Sequence, residues 1–215
     1  MTYLELVNSV LRRLRESQVD TVAETSYSAL IGDFVNDAKQ LVEDSHSWSS
    51  LRTSIEFDTV AGTSVYALTG SGQDVEVREA MNTTSKNVLR TRNRSYMNKY
   101  YKLGDEASGP PAEFAFNGVN DSGDITVQVY PKPDAIYTLF FDAFVRQDDL
   151  ASDATRLKVP YNPVLQLALG MALRERGETG GQSAVEQFSL ADASLSDAIA
   201  FDANKYQEDT TYTAV

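Results

Sequence analysis

Ile125–Val145 reads ITVQVYPKPDAIYTLFFDAFV, two apolar runs joined through a pair of prolines. In the first run Ile125, Val127 and Val129 alternate with Thr126, Gln128 and Tyr130, the period-two pattern of a half-buried strand. In the second, Tyr137, Leu139, Phe141, Ala143 and Val145 share one face, and Ile136, Thr138, Phe140, Asp142 and Phe144 the other. Large apolar groups on both faces mean that both are covered. Proline has no N–H to give a ladder, so Pro131–Pro133 must interrupt the pairing. The pattern predicts a long central hairpin with helices packed beside it.

Working outward, the 215 residues suffice for one large or two small domains, and 42% apolar residues are enough for a real core. No apolar run is long enough to span a membrane, and Met1–Glu5 lacks the pattern of a signal peptide. The absence of cysteine removes disulfides and thiolate metal sites and fits assembly in a reducing cytoplasm. A net charge of −12 argues against a free-standing nucleic-acid binder held by counterion release. It fits simple solubility or an acidic surface that meets a basic partner.

Toward the N-terminus, Thr2 and Glu5 form a capping-box pattern before a helix over 3–16, with Arg12, Arg13 and Arg15 in its last turn. A second helix, 26–44, carries Leu30, Phe34 and Leu41 beside Ile31, Val35, Ala38 and Val42. Trp48, the only tryptophan, reads as a core plug; His46, the only histidine, cannot build a histidine metal cluster. Strands then follow. Leu51–Phe57 and Val65–Leu68 read as a hairpin about Ala61-Gly62-Thr63, with shorter strands at 75–81, 88–89 and 113–116 and a tight turn at Asn117-Gly118. The acids at 148–153 lack the glycine and terminal glutamate of a calcium loop and read as a solvated turn. Asn162 as cap and Pro163 as first residue open a third helix with Leu165, Ala168, Leu169, Ala172 and Leu173 inward. Gly177 and Gly180-Gly181 end it. A fourth helix, 183–204, has Val185, Phe188, Ala191, Leu195 and Ile199 on one stripe. The fold class is α+β: helices of 1–50 and 160–205 in one bundle, 51–159 as a mostly antiparallel sheet or barrel, and 206–215 as an extended tail.

One region is basic. Lys86, Arg90, Arg92, Arg94, Lys99 and Lys102 occur with no acid among them and leave −18 for the rest of the chain. Tyr96, Tyr100 and Tyr101 interleave with them. Such a stretch can form an intersubunit seam, remain an exposed face, or bind single-stranded nucleic acid. The last reading would make the chain a nucleic-acid-binding accessory protein using 86–102. No nucleophile elbow, phosphate-cradling loop or metal-spaced cluster occurs, and a catalytic carboxylate dyad has no specific support. The expectation is a protein that is not an enzyme, needs no cofactor, and acts through surfaces.

Several segments in order resemble a known family. The helix pair ending in Trp48, the run Phe57-Asp58-Thr59-Val60-Ala61-Gly62-Thr63-Ser64-Val65-Tyr66-Ala67-Leu68, and Val129-Tyr130-Pro131-Lys132-Pro133 followed by Tyr137-Thr138-Leu139 are similar to the head-to-tail adaptors of tailed bacteriophages. The tail tubular protein A type of short-tailed phages is the nearest pattern, and the match continues to Val159-Pro160. That resemblance implies a homo-oligomeric ring, twelve-fold in that family, docked under the portal protein and above the tail nozzle protein. Double-stranded DNA would pass through the bore during ejection without sequence-specific binding. It implies no membrane contact, a place in the virion at the head–tail junction, and assembly in the host bacterial cytoplasm. Arg90, Arg92, Arg94, Tyr96, Tyr100 and Tyr101 become candidates for a subunit or nozzle interface. Tyr206, Tyr212 and Val215 become candidates for contact with the portal.

Overall fold

The computed structural model describes residues 1–104, 106–177 and 182–205. The candidate portal contacts Tyr206, Tyr212 and Val215 lie outside these residues, as do Gly180 and Gly181. The described residues form two compact units, one of those in 1–50 and from 147 to 205, the other of those in 51–146. The fold is α+β.

The first unit is helical. Helix α1 (Tyr3–Arg13) starts at the expected capping box: Thr2 Oγ1 accepts from Glu5 N–H and Glu5 accepts from Thr2 N–H. It ends three residues sooner than the apolar pattern predicts. Glu16 N–H bonds to Leu11 C=O and Arg15 N–H to Arg12 C=O, with Arg15 at φ +61. This is a Schellman stop, and Arg15 occupies the left-handed position that glycine usually takes rather than the last helical turn. Helix α2 (Ser26–Ser45) buries Ile31, Val35, Ala38 and Val42 as expected. Leu41, placed on the inner stripe by periodicity, is exposed, while Lys39 and Glu43 are buried. Gly32 is required because a Cβ there would run into the Tyr3 ring of α1. Trp48 is wholly buried and its indole N–H donates to Val42 C=O at 2.7 Å, so it plugs the end of α2.

Helix α4 (Tyr161–Glu175) packs against α1, α2 and α5 (Gln182–Ala203). Its alanines and Gly170 let three helices approach; the Phe188 ring of α5 lies 2.9 Å from where a Gly170 Cβ would stand. Pro160, not Asn162, occupies the N-cap of α4. Asn162 is already helical, and its Nδ2 donates to Ser194 Oγ at 2.6 Å. On α5 Ala191 is buried as expected, but Val185 is 66% exposed. Residues 147–157 run along the helices. Tyr3 N–H bonds to Thr155 C=O and Leu157 N–H to Met1 C=O. Asn36 holds Leu150 through both backbone groups, and Lys39 Nζ donates to the carbonyls of Gln147 and Asp148.

The second unit is a sandwich of two open four-stranded sheets, so the sheet-or-barrel expectation resolves to sheets. One has the order β1 (Arg52–Asp58), β8 (Thr138–Phe144), β3 (Glu76–Asn82), β4 (Asn87–Val88). The other runs β2 (Val65–Ala67), β7 (Ile125–Tyr130), β6 (Glu113–Val119), β5 (Arg90–Thr91). All pairs are antiparallel except β5 with β6.

The expected hairpin of 125–145 does not form. β7 and β8 each take an inner place in a different sheet, and 131–137 crosses between the layers. The prolines prevent pairing, and the crossing is fastened by Gly62 N–H to Pro133 C=O and Thr59 Oγ1 to Ala135 C=O. The expected hairpin of 51–68 fails the same way, since β1 and β2 lie in different sheets. The inner faces of the strands are therefore covered by the opposite sheet. Leu139, Phe141 and Ala80 face Phe114, Val127, Val129 and Leu68, with Phe114 edge-on to Phe141 at 5.3 Å. Asn117-Gly118 is not a turn. It lies within β6, where the register slips by one residue between Phe116 and Gly118 and Gly118 has φ +147, a β-bulge. The reversal comes later, at Asn120–Asp124, where Asn120 Oδ1 accepts from the N–H groups of Ser122 and Asp124.

Candidate interaction surface

The basic–aromatic stretch starts at one side of the sandwich. Residues 87–91 pair first with β3 as β4 and then with β6 as β5, so a single extended segment borders both sheets. Lys86, Val88 and Arg90 are exposed along it, while Leu89 between them is buried. Asn93 Oδ1 then caps the short helix α3 (Arg94–Asn98) by accepting from Tyr96 N–H at 2.7 Å. A π-helical turn, Lys99–Leu103, follows. Met97 is buried and anchors the element.

The structure brings four of the six predicted interface residues together around Tyr130 of β7, which the sequence reading placed only as an alternating strand residue. Tyr96 lies 4.8 Å from Tyr100, Tyr100 lies 4.8 Å from Tyr130, and Tyr101 stands edge-on to Tyr130 at 5.8 Å. Arg92 covers the Tyr96 ring at 4.9 Å. Its Nε and Nη2 both donate to Glu113 Oε1, at 2.9 and 2.6 Å. That pairing, above all its hydrogen bond, holds the Arg92 guanidinium above the usual arginine range. Tyr101 Oη donates to Val129 C=O at 2.6 Å, and burial pushes its hydroxyl up to about 12. Tyr96 is also pushed up to about 12, first by its hydrogen bond with Tyr100 and then by desolvation.

Arg94 stands apart from this cluster and donates to Asn117 C=O at 2.7 Å, at the bulge of β6. Arg90 is on the border segment. Lys86, Lys99 and Lys102 are exposed. So two of the three arginines are committed inside their own unit, and the tyrosine rings pack against one another, tilted or edge-on. A single-strand binding platform needs open aromatic faces beside free cations. This arrangement offers few of the first.

A second polar group joins the ends of α2 and α5. Asp202 accepts from Ser49 N–H at 2.8 Å and from Ser49 Oγ at 2.6 Å, and lies 3.4 Å from His46 Nε2. Burial would raise the Asp202 carboxyl, but the Ser49 hydrogen bonds and the Lys205 charge outweigh it and hold the group below its ordinary value. Serine, histidine and aspartate meet here without the order of a nucleophilic relay. The Ser49 hydroxyl donates its hydrogen bond directly to the Asp202 carboxylate, whereas a relay needs the imidazole between the two. The sequence carried a faint signal, a lone histidine at a helix end, but nothing tying it to Asp202 more than 150 residues away. Among the described residues no group of three or more His, Cys, Asp or Glu could hold a metal ion, and no helix is long and apolar enough to cross a membrane.

Comparison with curated proteins gives no match. The family model described as SU10 adaptor protein matches residues 1–214, a span that includes every segment that carried the adaptor resemblance. The chain therefore belongs to the SU10 adaptor protein family, a family of phage head-to-tail adaptors.

Proposed function

We propose that this protein forms a twelve-fold ring at one capsid vertex, joining the portal to the tail nozzle and lining part of the DNA channel. The observation that carries the reading is the adaptor-family match over 1–214. Membership makes the chain a structural virion component that meets other head and tail proteins, in a family that is not an enzyme family. In this reading the helical unit builds the ring and the strand unit faces the nozzle. Residues 206–215, with Tyr206, Tyr212 and Val215, contact the portal. The acidic balance of the chain lets DNA slide through the bore without sticking. Arg92 and Arg94 brace the strand unit from within, which leaves Arg90, with Lys86, Lys99 and Lys102, to meet a neighbour.

Electron microscopy of the purified protein, alone and mixed with portal, tests this. Rings coaxial with the portal are expected, and deletion of 206–215 is expected to abolish attachment while leaving the helical circular dichroism intact. Particles that ignore the portal under all conditions would overturn the assignment. A salt titration with DNA separates the nucleic-acid reading, since the adaptor is expected to bind weakly at physiological ionic strength.

A further inference from the structure

The two sides of the strand sandwich differ in a way that suits a repeated contact. On one side the segment 87–91 closes both sheets and presents Lys86, Val88 and Arg90 outward, with Val88 58% exposed. On the other, the borders are β1 and β2, two separate strands with a groove of about 320 Å³ between them. Thr53–Phe57 line one wall of that groove and Ala67, Thr69 and Gly70 the other.

The backbone of β1 is oriented for pairing. Leu51 C=O accepts from Val145 N–H and Thr59 N–H donates to Tyr137 C=O, and the register between them is unbroken. By the two-residue period of an antiparallel ladder, the odd residues of β1 face β8. The N–H and C=O groups of Ser54, Glu56 and Asp58 therefore aim off the sheet. A seven-residue border strand of this kind is a template for another strand unless something covers it. Its exposed side chains include Glu56 and Asp58, opposite in charge to Lys86 and Arg90 across the sandwich.

The geometry points to a heterologous contact between copies of this chain, in which the basic border 86–90 of one copy docks on the acidic β1 border of the next. Val88 enters the groove beside Ile55 and Phe57, while Lys86 and Arg90 meet Glu56 and Asp58. Because donor and acceptor surfaces lie on opposite sides of one sandwich, the contact repeats from copy to copy and closes when the rotation per step permits. Charge complementarity singles out a second copy as the occupant. The inference rests on the ring reading and adds to it the surface that receives the basic stretch.

Charge reversal tests it. Among the described residues the side chains of Glu56 and Arg90 have no partner, so reversing either leaves the fold intact. Glu56→Lys and Arg90→Glu, each alone, are expected to weaken self-association by more than about tenfold per contact, since like charges then face each other. An equimolar mixture of the two variants restores the contact, because each altered border meets the other's. The double variant in one chain restores it as well. Particle masses in solution and electron microscopy read the result. Wild-type rings with single variants that assemble equally well would overturn this contact and leave the ring standing. A wild-type protein that never forms rings, with or without portal, would overturn both.

Discussion

Lys39 is buried in the middle of α2, 99% out of contact with solvent, and its ammonium sits 3.7 Å from the Glu43 carboxylate, whose side chain is fully buried. The same ammonium donates to the carbonyls of Gln147 and Asp148 and lies 3.6 Å from Asp149. It thus holds the returning chain onto α2. Replacing it by methionine, of similar length, keeps the packing but takes the ammonium away from the Glu43 carboxylate and from two carbonyls. At an effective dielectric of about 20 the pair alone amounts to roughly 4–5 kcal/mol. Breaking a buried pair from one side costs about 3–5 kcal/mol. For a domain stable by about 5–15 kcal/mol that is a large fraction. It corresponds to a drop in Tm of roughly 10 °C.

Because the chain has two units, a global signal would mix two transitions. Trp48, the only tryptophan, sits wholly buried in the helical unit, so its fluorescence in a urea titration reports that unit alone. Lys39→Met is expected to lower the unfolding free energy obtained from the fluorescence midpoint by about 3–5 kcal/mol. Lys39→Met with Glu43→Leu is expected to recover the part of the loss that comes from the pair, since an apolar pair of similar volume removes both buried charges while the two carbonyls stay without their donor. A single variant that loses less than about 1 kcal/mol, or a double variant as damaged as the single, would refute the reasoning.

Three other outcomes follow from the same structure. Arg15→Gly is expected to stabilise the helical unit by about 1 kcal/mol, because glycine takes the left-handed position at the end of α1 without the Cβ penalty; urea midpoints by Trp48 fluorescence check it. Asp202→Asn is expected to cost about 1–3 kcal/mol at neutral pH through its Ser49 contacts. Its folded pKa is depressed, so the contribution is present above the unfolded carboxyl value and lost as pH falls through the folded one; the variant should show a flatter acid limb. Tyr101→Phe is expected to lose about 1 kcal/mol near neutrality with the bond to Val129. With the folded hydroxyl at about 12, wild-type stability falls as pH climbs past the unfolded value of roughly 10, and the variant should fall less, as circular dichroism against pH would show.

What could be read in the chain beforehand was local. Thr2 and Glu5 announce a helix because a capping box satisfies two N–H groups within four residues. The alternation of Val127, Val129, Leu139 and Phe141 announces strands and their inner faces. What periodicity does not carry is the partner. β7 and β8 were adjacent in sequence and complementary in pattern, and only their separation into two layers, with Phe114 and Phe141 meeting between, shows that the prolines mark a crossing and not a hairpin. Asn117-Gly118 had turn chemistry but was used for a bulge, which needs the same permissive backbone. At the candidate surface the composition of 86–102 was plain. Its division into internal braces and outward cations was not, because Glu113 and Tyr130, which engage Arg92 and Tyr100, lie more than 20 residues away. Lys39 and Asp202 were silent for the same reason: a buried charge looks like a surface charge until its partners are placed.

The most direct measurement is a cryo-electron microscopy reconstruction of the portal vertex from assembled particles. The account expects a ring of this chain between portal and nozzle, with the border 86–90 of each copy against β1 of its neighbour. A vertex whose density between portal and nozzle is filled by another protein, with neither the helical nor the strand unit of this chain present, would contradict it.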